Sequence, residues 1–167
     1  SSNVSGACGV VNMLPGASPP PCTLTATYGG SLPAYLGLDV LIETQAGNGG
    51  TTLYNPSDSS HDLQVTVTST TPSASYTIPA TVTTCPSGAP SGSTCYELDN
   101  ELVSASPLTS SSPTVTFSTT VSLPSTTTTG YRGGAAQVVL TAHATQSGNN
   151  SAAVCTVGLT CSSVHSS

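Results

Sequence analysis

The chain has 167 residues, with 7 acidic side chains, one Arg and no Lys, for a formal net charge of −6. Charged residues make up 5% of it, against roughly 25% in ordinary soluble domains, and 28 Ser and 28 Thr supply hydroxyls in their place. The length fits one domain. A single cation cannot neutralise a phosphate backbone or hold an anionic membrane surface, so nucleic-acid binding is excluded and electrostatic membrane attachment with it. No aliphatic run approaches a membrane span; Val138-Val139-Leu140 is representative.

The surface helix formers Lys, Arg, Glu and Gln are scarce while Thr and Val abound, which points to strands. In chain order, residues 1–14 carry Val4, Cys8, Val10, Val11, Met13 and Leu14, with Gly6 and Gly9 between them. Pro15-Gly16 and Pro19-Pro20-Pro21 follow. This small, apolar segment with a stiff linker reads either as the first strand of its own sandwich or as a strand delivered to a neighbouring copy. The parity of its apolar residues changes along its length, so the register stays open.

From Cys22 to Tyr28 apolar residues alternate with Thr. Leu36, Leu38, Val40 and Ile42 form one face of a second strand, and Leu63, Val65 and Val67 repeat the period-2 signal. Tyr76, Ile78, Ala80 and Val82 continue it, interrupted by Pro79, which predicts an edge or a bulge. Tyr96 to Ser104 places Leu98 and Leu102 four apart and reads equally as a helix or as strand and turn. Val115, Phe117, Thr119, Val121 and Leu123 form another inward row. Val138, Leu140, Ala142 and Ala144 form the last, with His143 expected on the opposite, solvent face. Turn clusters separate these rows, so the chain predicts an all-β antiparallel sandwich. Residues 1–21 are expected to be a donor segment and Pro-rich linker, and residues 22–167 the sandwich domain.

Six Cys stand at 8, 22, 85, 95, 155 and 161, without a CxxC pair. They fall into three local couples, Cys8 with Cys22, Cys85 with Cys95 and Cys155 with Cys161, out of fifteen connectivities that six Cys allow. Disulfides imply an oxidising, extracellular location. The chain starts at Ser1 without a leader-like apolar region, which is read as a mature secreted protein. Asn3-Val4-Ser5 and Asn149-Asn150-Ser151 match the N-glycosylation pattern at Asn3 and Asn149. With so few charges to keep copies apart, self-association is expected.

Catalytic signals are sparse. There is no HExxH and no GxSxG, and His61, His143 and His165 have no partner His at metal-ligand spacing. Glu97, Asp99 and Glu101 would share one face of a strand and, with Asn100, offer oxygen ligands to Ca²⁺, but the spacing is not an EF-hand loop and reads as a solvated acidic face. Asp58 and Asp62 read as turn and cap residues. Arg132 is expected to pair with a carboxylate or with carbonyls near a subunit contact. The six Tyr (28, 35, 54, 76, 96 and 131) read as core residues with bonded hydroxyls.

Residues 121–149 contain Leu123-Pro124, Tyr131-Arg132-Gly133 and Ala144-Thr145-Gln146. These resemble the C-terminal signature of the TasA/camelysin family of secreted biofilm-matrix proteins: a strand ending in Leu-Pro, then Tyr/Phe-Gln-Gly, then an alternating strand ending in Ala-x-Gln. Upstream, Leu53-Tyr54-Asn55-Pro56-Ser57-Asp58 with the strand after it resembles the family's Pro-Gly-Asp turn. Arg132 stands where the family has Gln, and Ser57 where it has Gly. Together the matches span roughly residues 50–150, and the Cys85/Cys95 loop resembles cysteine-bearing insertions of actinobacterial-type relatives.

The resemblance implies a jelly-roll-like sandwich assembled into extracellular fibres, in which one subunit's first segment completes the next subunit's sheet, as in archaeal bundling pili. It also raises metalloprotease chemistry, described for camelysin-type members, for which the chain offers no motif. The expected function is therefore a structural subunit of an extracellular filament, polymerised head-to-tail by strand donation. Val4, Cys8, Val10, Val11, Met13 and Leu14 would lie in the donor segment, with no enzymatic activity, cofactor or metal. The C-terminal tail, Ala152 to Val164, is a second candidate donor. The alternative is a monomeric adhesion or carbohydrate-binding sandwich with glycans as partners.

Overall fold

The computed structural model describes residues 4–103, 106–111 and 114–146. Among these, nine strands form two antiparallel sheets. The first holds, in spatial order, β1 (Val4–Val11), β9 (Ala135–Gln146), β3 (Ala34–Gln45), β7 (Thr94–Leu102) and β6 (Val82–Thr83). The second holds β2 (Cys22–Thr27), β8 (Thr114–Ser122), β4 (Gln64–Thr70) and β5 (Ala74–Tyr76). β1 to β4 alternate between the sheets, and early strands pair with late ones, β1 with β9, β2 with β8 and β3 with β7, which is the strand order of a jelly roll.

The two longest strands make the spine. β3 and β9 pair over their whole length, from Ala34 opposite Gln146 to Gln45 opposite Ala135. Their alternate residues Leu36, Leu38, Val40 and Ile42, and Val138, Leu140 and Ala142, enter a single core. The second sheet contributes Val67, Val115, Phe117 and Val121. Phe117 is wholly buried, and its ring lies 5.8 Å from that of Tyr76. Burying one such side chain contributes about 1.5–3 kcal/mol, so the period-2 rows supply most of what holds the sheets together.

The stretch left open between helix and strand is β7. Its residues pair with β3 from Thr94 opposite Thr44 to Leu102 opposite Gly37. A full ladder to a central strand outweighs one Leu–Leu pair four residues apart. Pro79 marks a change of sheet: β5 ends at Tyr76 on one edge, and β6 begins at Val82 on an edge of the other sheet.

His143 overturns the expectation of a solvent face. It is 4% exposed, and its Nε2 lies 3.3 Å from Asp39 Oδ1. The β3 residue opposite His143 is Gly37, which brings no side chain of its own, and Asp39 lies two residues further along the same strand.

Candidate functional site

β1, the segment expected to be donated, lies on the edge of its own sheet. It pairs with β9 from Val4 opposite Ala142 to Val11 opposite Ala135. This register resolves the parity. Val4, Gly6, Cys8 and Val10 turn inward, while Ser5, Ala7, Gly9 and Val11 turn out. Val4, Val10 and Met13 pack against the core, and Cys8 belongs to it. Val11 and Leu14 are 69% and 75% exposed and anchor nothing here.

Cys8 is bonded to Cys22, the first residue of β2, with Cα atoms 5.8 Å apart. The bridge thus joins the edges of the two sheets. Gly6 lets β1 settle closely: a Cβ at that position would stand 3.1 Å from Leu24 Cδ1 on β2. After β1 the linker is held to the end of β8, where Gly16 N–H donates to Leu123 C=O and Leu123 N–H to Ala17 C=O.

A second constellation forms where three loops meet. Gly47 and Gly49 lie against the backbone of residues 130–134; a Cβ on either would come within 2.2 Å of main-chain atoms there. Thr51 N–H donates to Gly130 C=O, and this close backbone seat positions Tyr131. The Tyr131 hydroxyl donates to Asp58 Oδ2 at 2.7 Å, and His61 Nδ1 lies 2.8 Å from Asp58 Oδ1. These two bonds hold the Asp58 carboxyl below its usual range, His61 being the larger influence. Burial, with the adjacent Asp58 carboxylate, pushes the Tyr131 hydroxyl up to about 12. Asp62 accepts from Asn55 N–H at 2.8 Å and from Gln64 Nε2 at 2.9 Å. Burial outweighs these bonds and raises its pKa to about 6. Thr127 Oγ1 donates to His61 C=O and closes the corner. The reading of Asp58 and Asp62 as turn residues holds, but Asp58's partner Tyr131 lies 73 positions away and carries no local signal.

Beside this corner, Met13, Leu14, Leu123, Thr127, Tyr131 and Arg132 line much of a cleft of about 150 Å³. Arg132 is exposed and pairs with no carboxylate of its own chain among the described residues, where the ion pairs are His61–Asp58 and His143–Asp39.

The acidic trio also changes. Between Leu38 opposite Glu101 and Val40 opposite Leu98, β7 advances one residue more than β3, which makes a β-bulge. The extra residue reverses the parity of β7. Glu97 and Asp99 stay exposed, while Glu101 turns into the core with no exposed surface. The three carboxylates therefore do not share a face. Glu101 Oε1 lies 3.5 Å from Thr77 N–H, and Oε2 has no hydrogen-bond partner among the described residues. Burial raises its pKa to about 7. Among the described residues no group of three or more His, Cys, Asp or Glu is placed to hold a metal ion.

Cys85 and Cys95 form the second bridge. Cys155, Cys161, Asn3, Asn149, His165 and the tail from Ala152 to Val164 lie outside the described residues. No helix among the described residues is long and apolar enough to cross a membrane. No known protein-family model, curated protein or solved structure matches the chain.

Proposed function

We propose that the chain is the structural subunit of an extracellular filament, polymerised head-to-tail by donation of β1 to the next copy. The observation that carries this reading is the seat of β1. It is an eight-residue edge strand that inserts Val4, Cys8 and Val10 between the sheets and leads into a Pro-rich linker. Without it, β9 would present an unpaired edge over eight residues. The same strand of another copy can make every one of these contacts, and a head-to-tail donation that does not close builds an open fibre.

Two further observations support the reading. Asn55 to Asp58 and Tyr131, which carry the two halves of the resemblance to the TasA/camelysin family, are joined by hydrogen bonds in one corner. The disulfides suit an oxidising compartment such as the cell exterior.

The test is electron microscopy of the full chain beside a version lacking residues 1–14. Filaments from the full chain and none from the truncated one are expected. A full chain that forms no filaments in a thiol–disulfide redox buffer, where the Cys8–Cys22 bridge can open and re-form, overturns the proposal and makes glycan binding by a monomer the leading reading.

A further inference from the structure

We infer that in the filament the Cys8–Cys22 bridge forms between subunits, so that each donated strand is covalently bonded to the copy that receives it. The inference rests on the strand-donation reading and follows from where the two sulfurs sit. Cys8 lies in the middle of β1, opposite Val138 of β9, with its side chain buried between the sheets. Cys22 opens β2, the neighbouring edge of the second sheet. A strand donated in the same register brings its Cys8 to the recipient's Cys22 at the separation found here, 5.8 Å between Cα atoms, inside the ~4.4–6.8 Å that a disulfide requires.

The intrachain bridge and donation exclude one another. With Cys8 bonded to its own Cys22, β1 cannot leave its own β2, whatever the linker does. A chain that donates β1 therefore holds Cys8 and Cys22 as thiols or bonds them to different copies. The linker has the reach for the second arrangement. Residues 12–21 include Pro15, Pro19, Pro20 and Pro21, and ten residues of polyproline-like chain span about 31 Å at ~3.1 Å each. The other bridge has no such freedom. Cys95 pairs across from Thr83, two residues before Cys85, so both sulfurs belong to one hairpin.

The chemistry balances in two ways. Starting from thiols, Cys8 of one copy and Cys22 of the next lose two protons and two electrons to a small disulfide such as oxidised glutathione, which leaves as two thiols. Starting from the closed monomer, a small-molecule thiolate opens the home bridge by forming a mixed disulfide. The neighbour's thiolate then displaces it, with no net oxidation. The home bridge thus holds the chain as a monomer until it is opened, and the same two residues then lock the fibre.

The experiment uses the full chain in ordinary and ¹⁵N-labelled form. The two are reduced, mixed and assembled in a glutathione redox buffer. Filaments are scored by electron microscopy, and the Cys8–Cys22 peptide pair is isolated without reductant after peptic digestion and weighed. Boiling without reductant is expected to leave a ladder of multimers that dithiothreitol collapses, and the peptide pair is expected to include light–heavy hybrids. Filaments whose Cys8 and Cys22 remain thiols overturn the covalent lock but leave strand donation standing. Filaments with only light–light and heavy–heavy pairs overturn both the lock and donation of β1. The absence of filaments overturns the filament reading itself.

A second measurement tests the same bond without relying on any one variant's fibres. In a background carrying Cys155→Ser and Cys161→Ser, Cys8→Ser and Cys22→Ser chains are mixed. A disulfide-linked dimer containing one copy of each is expected, and dimers of like copies alone overturn the inference.

Discussion

The two edges of the five-stranded sheet are closed by different means. On one side stands β1, eight residues long, pinned by Cys8–Cys22 to the other sheet. On the other stands β6, two residues long, with Cys85–Cys95 closing a loop inside the same hairpin. A strand of two residues offers little ladder for another chain to extend, which is a common way to blunt an edge. A long strand tied across the sheets protects its edge only while it stays at home. In the strand-donation proposal the first edge is the one that exchanges, and the second is finished.

The largest expected effect tests whether the two bridges differ in this way. Replacing Cys8 and Cys22 together by Ser should destabilise the reduced-charge sandwich by about 3 kcal/mol, from the loop entropy a bridge of this span removes, measured by urea unfolding. Amide exchange should rise first in β1. Replacing Cys85 and Cys95 should cost somewhat less, with exchange rising around β6 and β7. The same exchange pattern in both variants would break the comparison.

Next comes pH, which should act on the β7 side and not on β1. Glu101 carries a folded pKa of about 7, above its ordinary value, because of burial. A raised folded pKa means that the folded state binds more protons than the unfolded chain between the two values. Stability is therefore highest below the unfolded pKa and falls as pH rises through 7, by an amount on the order of 2 kcal/mol. Asp62, raised to about 6, acts in the same direction. Asp58, lowered by its bonds to His61 and Tyr131, opposes them at lower pH, where its protonation weakens the fold. Thermal unfolding between pH 5 and 8 should show the fall, and Glu101→Gln should flatten most of it.

A smaller effect probes the seat of β1. Gly6→Val should crowd Leu24 and cost toward the lower end of ~1–3 kcal/mol, because the atom met first is the end of a flexible side chain. Exchange confined to β1 would sharpen the contrast between the edges; global destabilisation would blur it. Smallest of all is Tyr131→Phe, which removes a donor from Asp58 at a corner away from both edges. The Asp58 carboxyl should move up toward its ordinary range in an NMR titration, with the strand ladders unchanged.

Much of the fold was legible because period-2 alternation is local. Leu36 to Ile42, Val115 to Leu123 and Val138 to Ala142 announce buried faces without knowledge of any partner. The bridges Cys8–Cys22 and Cys85–Cys95 were legible as nearest neighbours for the same reason. Less legible were the residues whose surroundings come from distant chain. His143 was expected in solvent, but it is buried, with Asp39 of β3 within 3.3 Å of its ring. Glu101 was grouped with Glu97 and Asp99 by spacing, and one bulged residue against β3 turned it inward. The link from Asp58 to Tyr131 spans 73 positions and has no periodicity to betray it.

Composition and alternation by themselves determined an all-β, charge-poor chain of hydroxyl-rich strands, since these follow from propensity and from which side of a strand each residue faces. Tertiary structure alone decided register, the bulge, the burial of Glu101 and His143, and the place of β1 beside β9. Each of these depends on which strands become neighbours, and hydrogen-bonded pairing across the chain, not the order of residues along it, makes that choice.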